Sequence, residues 1–109
     1  MGLPKDARLR RRTEFLRVQT EGKRIWSGDV LVIARQNTVG APRLGITASS
    51  KVGGAVIRNR IKRWAREAFR GVAPKLGAYD IVVIARKGAA TMGLDGMKRA
   101  LGTVCDRLK

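Results

Sequence analysis

A row of basic residues spaced four apart between positions 58 and 70 carries the strongest chemical signal in this chain. The row consists of Arg58, Lys62, Arg66 and Arg70, with Asn59 and Arg63 beside it. On a helix, residues four apart share one face, so these side chains predict a cationic ridge about 20 Å long. Solvated basic faces usually interleave acids, but Glu67 is the only acid in this segment. Because arginine binds phosphate through two parallel hydrogen bonds, the row predicts a phosphate-binding surface.

Side chains that could catalyse a reaction are scarce. The sequence holds no histidine and a single cysteine, Cys105, which excludes a Cys–His pair, a Cys/His zinc site and an imidazole base. Cys105 is predicted to be a small buried apolar residue. The 8 acidic residues are scattered along the sequence without a close pair for acid–base or two-metal chemistry. If the protein takes part in catalysis, we expect another molecule to supply the reactive group.

The charge balance points to a polyanionic partner. The chain of 109 residues has 24 lysines and arginines against 8 acids, which gives a formal net charge of +16. Such a charge repels itself in a small globule, so nucleic acid is the first expected partner and a membrane surface the second. The longest apolar runs, 30–34 and 81–85, hold about five residues against roughly 20 for a membrane span. The N-terminus lacks the apolar stretch of a signal peptide, so a cytoplasmic protein is expected.

Length and hydrophobic patterning predict one α+β domain over residues 1–109, a single sheet of about four strands with three helices packed on it. One helix is expected from the N-cap Thr13 to Gly22, a second over 55–70 before Gly71, and a third over 91–108. Strands are expected at 30–34, 43–48 and 79–85, with an additional short one at 23–26. The strands at 30–34 and 43–48 are predicted to form an antiparallel hairpin. The strand at 79–85 is apolar throughout, which is typical of a central strand.

The helix predicted over 55–70 has two distinct faces. Its apolar residues fall on one arc that should face the sheet, and they are Ile57, Ile61, Trp64, Ala65 and Ala68. The cationic ridge is expected on the opposite arc. Arg60 falls off the ridge, and we expect it to point to the neighbouring loop or to bridge to Glu67.

Residues 50–63, with the sequence SKVGGAVIRNRIKR, are followed by WAREAFR. This segment strongly resembles the R-N-R signature of the bacterial ribonuclease P protein family. The resemblance extends over nearly the whole chain, because a basic arm, Phe15 in the first helix and the strand with its basic pair at 80–87 also match. It implies a fold of the type named after the second domain of ribosomal protein S5, with a left-handed βαβ crossover. A sequence without the resemblance would favour a right-handed one.

The resemblance also implies a function. Proteins of this family are small basic subunits of a ribonucleoprotein whose RNA subunit removes the 5′ leader from precursor tRNA, using Mg²⁺ held mainly by that RNA. The implied partners are the catalytic RNA, with one protein per RNA, and precursor tRNA. Neither a membrane nor a small-molecule substrate is implied. The chain would contribute binding and charge neutralisation, which agrees with its lack of reactive side chains.

Site residues carried over from the family fall into three groups. The residues expected to bind the RNA subunit are Arg58, Asn59, Arg60, Lys62, Arg63, Arg66 and Arg70. The residues expected to line a cleft for the single-stranded leader are Phe15, Ile33, Ser50, Lys51, Arg86 and Lys87. The basic N-terminal arm, residues 1–12, includes Arg8, Arg10, Arg11 and Arg12.

Some features leave alternatives open. Phe15 could belong to the core instead of the cleft. Gln19 stands where many relatives have a second aromatic residue and Ile33 where some have tyrosine, so this cleft is expected to stack fewer bases and to depend more on charge. A structural RNA-binding protein, such as a ribosomal protein, would explain the charge and size equally well. A DNA-binding helix would need a partner helix before residue 55, where strand and loop are predicted.

Overall fold

The computed structural model describes residues 3–108, which form three α-helices and four β-strands in an α+β arrangement. The order of the elements is α1 (Arg12–Glu21), β1 (Lys23–Ser27), β2 (Val30–Gln36), β3 (Arg43–Thr47), α2 (Ala55–Leu76), β4 (Tyr79–Ala85) and α3 (Gly93–Arg107). Short 3₁₀ turns occupy Lys5–Ala7 and Lys87–Thr91. The predicted fold class is confirmed, and so is the additional short strand, which is β1.

The sheet has the strand order β1-β2-β4-β3. As predicted, β4 is central: it pairs antiparallel with β2 and parallel with β3, so that Val83 lies opposite both Val32 and Ile46. The predicted hairpin between residues 30–34 and 43–48 is wrong, because β4 lies between these strands. The hairpin partner of β2 is β1, joined through a tight turn in which Gly28 has a φ of 59°. A strand that is apolar on both faces, as β4 is, must be covered on both sides and at both edges.

Two apolar cores flank the sheet, because successive residues of each strand point to opposite faces. The larger core packs α2 and α3 on one face and includes Ile25, Val32, Ile61, Val83 and Leu101. The smaller core lies where α1 packs on β2 and β4, and consists of Leu9, Val18, Leu31, Ile33 and Val82. Cys105 is buried, as predicted.

The helix α2 is longer than predicted. It continues through Gly71 and Pro74 to Leu76 and ends at Gly77, whose φ is 79°. Glycine and proline disfavour helix by about 1 and 3 kcal/mol relative to alanine. The packing of α2 along α3 and the burial of Leu76 outweigh this cost. Propensity alone therefore placed the helix end too early.

The described part of the predicted basic N-terminal arm is folded against the domain, and the last residue of the arm, Arg12, belongs to α1. Within residues 3–108, Leu3 and Leu9 are buried, and the N–H of Leu9 donates to the carbonyl of Leu44 on β3. The helix α1 begins at Arg12, so Thr13 lies inside it and is not the N-cap. Residues 1 and 2 of the predicted arm lie outside the described residues. The third helix begins at Gly93, two residues later than predicted, after the 3₁₀ turn.

A network of ion pairs joins α1 to the sheet. Asp80 on β4 is only 4% exposed, and its carboxylate accepts two hydrogen bonds of 2.8 Å from Arg43 on β3. Asn37 donates to the same carboxylate at 2.8 Å. Arg43 also donates to Glu14 of α1 at 3.1 Å. The carboxylate of Glu14 accepts the backbone N–H groups of Arg10 and Arg11, so the N-terminal segment, α1, β3 and β4 are held together at one end of the sheet.

The charge of Glu14 should make this junction sensitive to acid. The backbone N–H groups of Arg11 and Arg10, together with the guanidinium charge of Arg43, hold the pKa of Glu14 below its ordinary value of 4.5. A lowered folded-state pKa stabilises the fold above the unfolded-state value, and the contribution is lost as the pH falls through the folded-state pKa. Glu14→Gln should therefore lower the free energy of unfolding by about 1 kcal/mol near neutral pH and by less in acid.

Urea unfolding of the wild-type protein and of Glu14→Gln, from acid to neutral pH, measures the difference in the free energy of unfolding. The control is Glu67→Gln, which removes an exposed pair with Arg70 at 3.6 Å and should change stability by less than about 0.5 kcal/mol. If Glu14→Gln lowers the free energy of unfolding equally in acid and at neutral pH, the charge of Glu14 is not the cause of the lost stability.

Candidate nucleic-acid interface

The predicted ridge forms on α2, but it begins beside the buried face and not opposite it. Arg58, Lys62 and Arg66 are half-buried, whereas Arg70 is exposed. Four residues advance a helix by about 400°, so each member of the row is rotated about 40° from the one before it. The row therefore starts next to the core and moves towards solvent. Asn59 and Arg63 lie exposed on its outer side.

Arg60 is exposed on the far side of the helix from Arg66. Glu67 forms its ion pair with Arg70, and the described residues show none between Arg60 and Glu67. The predicted bridge between Arg60 and Glu67 is therefore wrong.

A cleft opens between α1, the strand β3 and the basic row on α2. Its cavity measures about 140 Å³. Phe15 of α1 lies on one side and Lys62 and Arg66 of α2 on the other, and Arg8 also lines the cleft. Leu3, Leu9, Leu44, Gly45 and Ile46 complete the lining. The cleft thus combines an aromatic ring with basic groups that the sequence analysis had assigned to a separate surface.

Phe15 lies directly over the strand β3 because residue 45 is glycine. A Cβ at Gly45 would lie 2.6 Å from the Phe15 ring, which is too close for any residue with a side chain at this position. Phe15 is half-buried, packs against the smaller core and also lines the cleft. The two alternatives for Phe15, core and cleft, are therefore both part of its environment.

The prediction that Ile33 lines the cleft is wrong. Ile33 is 1% exposed and belongs to the core beneath α1, so it has no free surface to contact a nucleotide. Gln19, on the following turn of α1 from Phe15, is half-buried.

The remaining predicted cleft residues lie outside the cleft lining, beyond the ends of two neighbouring strands. Ser50 and Lys51 follow the end of β3, and Arg86 and Lys87 follow the end of β4. These two strands run parallel, with Thr47 opposite Ile84, so both pairs emerge at the same side. All four residues are exposed. These residues, at the carboxyl ends of β3 and β4, are therefore accessible to a phosphate backbone.

The basic residues of the arm line two cavities. Arg8 is half-buried and lines both the cleft and a second cavity of about 440 Å³. Arg10 and Arg11, which line the second cavity, are exposed, as is Arg12 at the start of α1. Within residues 3–108, the Nε atoms of Arg8 and Arg58 are buried without a hydrogen-bond partner. Such donors can be satisfied by an anion.

Trp26 is a candidate site residue that was not predicted from the sequence. This residue lies on β1, is 53% exposed, and has the guanidinium of Arg86 5.1 Å from the centre of its ring. Alternation along β1 was the available signal, because the buried Ile25 places its neighbour Trp26 on the other face of the sheet.

Residues 3–108 meet the requirements of neither a metal site nor a membrane-spanning helix. Within residues 3–108, no group of three or more histidine, cysteine or acidic residues is placed to hold a metal ion. Among the same residues, no helix is long and apolar enough to cross a membrane.

The fold and the basic cleft define a class: a small, basic α+β protein with a nucleic-acid-binding surface. Comparison with known proteins gives the family. The family model for Ribonuclease P matches residues 3–109, and this chain belongs to the ribonuclease P protein family.

Relatives match over most of their length. The ribonuclease P protein component of Syntrophus aciditrophicus is 38% identical over 94% of this chain and 87% of the relative, and that of Proteus mirabilis is 39% identical over 98% and 91%. The solved structure of the Staphylococcus aureus RNase P protein has a TM-score of 0.84 at 34% identity, covering 94% of this chain and 95% of that one. The RNase P protein of Thermotoga maritima has a TM-score of 0.82 at 34% identity, covering 94% and 97%.

The contact between Phe15 and Gly45 can be tested by adding one methyl group. Gly45→Ala should displace the Phe15 ring and lower the free energy of unfolding by about 1–3 kcal/mol. The control is Gly71→Ala, because a Cβ there meets open space in the described structure and should stabilise α2 by up to about 1 kcal/mol. Urea unfolding of both variants provides the measurement. Unchanged stability of Gly45→Ala would contradict the close packing of Phe15 on β3.

Proposed function

We propose that the cleft binds the single-stranded 5′ leader of precursor tRNA and that the outer face of α2 binds the catalytic RNA subunit. As a family member, the chain is a protein subunit of ribonuclease P, an endoribonuclease of tRNA processing. The observation that supports the cleft proposal is the placement of Phe15 opposite Lys62 and Arg66. An aromatic ring facing basic groups is the combination that holds unpaired nucleotides without a required sequence.

Binding of the leader would divide between stacking and charge. The exposed face of Phe15 would stack one base, which is worth about 1–3 kcal/mol. Lys62, Arg66 and Arg8 would contact the phosphates on either side. With one aromatic residue in the cleft lining, affinity would depend strongly on these charges.

The RNA subunit would be bound by the basic residues that face away from the cleft. Asn59, Arg60 and Arg63 are exposed on α2 and stand outside the cleft lining. The ridge predicted as one RNA-binding surface would thus serve two strands, with Lys62 and Arg66 turned to the leader and the outer residues to the RNA subunit. Arg58 and Arg70, at the two ends of the ridge, would extend the contact with the RNA subunit.

Catalysis would reside in the RNA subunit, with Mg²⁺ held mainly by that RNA. The described side chains of this protein do not suit a metal ion, and its basic surfaces would instead neutralise phosphate repulsion. Neutralisation would allow the RNA to fold and retain Mg²⁺ at lower concentration. The proposed assembly holds one protein per RNA, acts on precursor tRNA and not on a small molecule, and lies in the cytoplasm, where bacterial tRNA precursors are made.

Cleavage of precursor tRNA at low Mg²⁺ tests this function. The assay compares a bacterial RNA subunit alone, this protein alone and the two together. We expect cleavage at the mature 5′ end only in the mixture, because the RNA supplies catalysis and the protein lowers the Mg²⁺ requirement. Tight RNA binding without any stimulation would instead support a structural RNA-binding protein.

The assignment of Lys62 and Arg66 to the leader predicts a specific salt effect. Replacing both with alanine should weaken holoenzyme binding to precursor tRNA more than to mature tRNA. The dependence of the precursor affinity on salt should flatten by about 0.7 for each lost single-strand phosphate contact. The measurement is a salt titration of both affinities.

A matched control is available on α3. Lys98→Ala combined with Arg99→Ala removes the same charge from two exposed residues outside the cleft. This control should leave the preference for precursor over mature tRNA unchanged. Equal effects of the two double variants would show that net charge, and not the cleft, carries the binding.

A further inference from the structure

Trp26 is a large apolar side chain that the fold does not bury. It lies on β1, an edge strand, and is 53% exposed, while its neighbour Ile25 points into the larger core. Trp26 therefore stands on the opposite face of the sheet, the face on which α1 packs. An exposed indole at this position has no evident role in the stability of either core.

The strand register places Trp26 at the end of a row that crosses the whole sheet. Trp26 lies opposite Leu31, Leu31 opposite Ile84, and Ile84 opposite Thr47. Thr47 lies two residues beyond Gly45 on the same face of β3. The row thus begins beside the floor of the cleft and extends across three strand spacings, about 14 Å, to Trp26.

Arg86 is held over the indole by the end of β4. Its backbone N–H donates to the carbonyl of Asp29 at 2.9 Å, which continues the pairing with β2 beyond Ala85. The guanidinium lies 5.1 Å from the centre of the Trp26 ring, a cation–π distance. The Asp29 carboxylate packs so closely on Gly88 that a Cβ at that position would lie 2.5 Å from it. The loop carrying Arg86 and Lys87 is thereby fastened to the β1–β2 turn.

Charge around the indole identifies the occupant. Arg24 shares the outer face of β1 with Trp26, and Lys87 follows Arg86, and all are exposed. An apolar protein partner would leave these cations unpaired, whereas a nucleotide offers a base to stack and a phosphate to neutralise. Leu31 in this row is buried, but both ends of the row, Thr47 and Trp26, are exposed. Because the row starts beside the cleft on the same face of the sheet, the leader proposed for the cleft is the favoured occupant.

We propose that Trp26 and Arg86 form a platform on which the leader stacks a second base. The platform lies at the edge strand β1, whereas Phe15 lies over the opposite edge strand, β3. This inference rests on the proposed leader cleft and extends it to a residue outside that cleft. Arg86 would keep the indole oriented and pair with the adjoining phosphate. The platform would supply stacking that the cleft itself lacks, because Ile33 is buried and Gln19 is not aromatic.

Binding of the holoenzyme to precursor and mature tRNA tests the platform. Trp26→Leu should weaken precursor binding about fivefold or more, the lower end expected for one stacked base, and leave mature tRNA binding unchanged. Trp26→Phe should retain most of the affinity because it keeps an aromatic face. The control Val39→Ala, which shortens another exposed apolar side chain in the β2–β3 loop, should have no effect.

Fluorescence gives a second readout that does not depend on affinity. The chain has 2 tryptophans, so Trp64→Phe leaves Trp26 as the single emitter. Its emission should be quenched by precursor tRNA and unaffected by mature tRNA in the holoenzyme. Stepwise shortening of the leader should abolish the quenching at the length that no longer reaches Trp26.

The outcomes separate this inference from the proposed function. If Phe15→Leu weakens leader-dependent binding and Trp26→Leu does not, the platform is overturned and the leader cleft stands. If Trp26→Leu weakens binding of the RNA subunit and of mature tRNA equally, the platform contacts the RNA subunit and its assignment to the leader is overturned. If leader length has no effect on binding by the wild-type holoenzyme, the proposed function itself fails.

Discussion

The buried ion pair between Asp80 and Arg43 is the interaction on which the arrangement of the binding surface depends. The strand β3 has five residues and is paired within the sheet only with β4, so the arginine fork fixes its position. Through its third nitrogen, Arg43 also holds Glu14 at the start of α1. Removing one partner of a buried pair typically costs about 3–5 kcal/mol, because the remaining charge is left uncompensated. This junction therefore links α1, which carries Phe15, to β3, which carries Gly45.

The cleft unites groups from four parts of the chain that have different structural reasons for their positions. Phe15 is placed by the packing of α1 on the smaller core, and Arg8 by the pairing of the N-terminal segment with β3. Lys62 and Arg66 are placed by the rotation of the basic row around α2, which brings the two middle members of the row to the cleft. A surface of high positive charge is thereby divided into a concave part with an aromatic side and a convex part that is basic alone. These shapes suit a flexible single strand and a folded RNA, respectively.

Much of the fold could be predicted from sequence, because several elements carry a strong local signal. The continuous apolar run of β4 and the helical spacing of apolar residues in α3 identified both elements and the central position of β4. The predicted hairpin placed β3 beside β2, whereas β3 pairs with β4, because this pairing is decided by contacts between distant segments and not by a turn. The end of α2 was missed because burial of Leu76 overrides the local preference of Gly71 and Pro74. The family resemblance predicted Phe15 and the basic residues as site residues. It did not predict that Arg8, Lys62 and Arg66 line one cleft, or that Ile33 is buried.

The attachment of the N-terminal segment to β3 also bears on how the protein behaves before it meets RNA. A sheet with open edges can pair with the edges of other copies and aggregate, especially when its strands are apolar. Here the N–H of Leu9 bonds to Leu44 and covers part of the outer edge of β3. The opposite edge, β1, exposes Lys23 and Arg24, whose charges repel a second copy of the same strand. Together with the net charge of +16, these features favour a monomer that remains dispersed until a polyanion neutralises it.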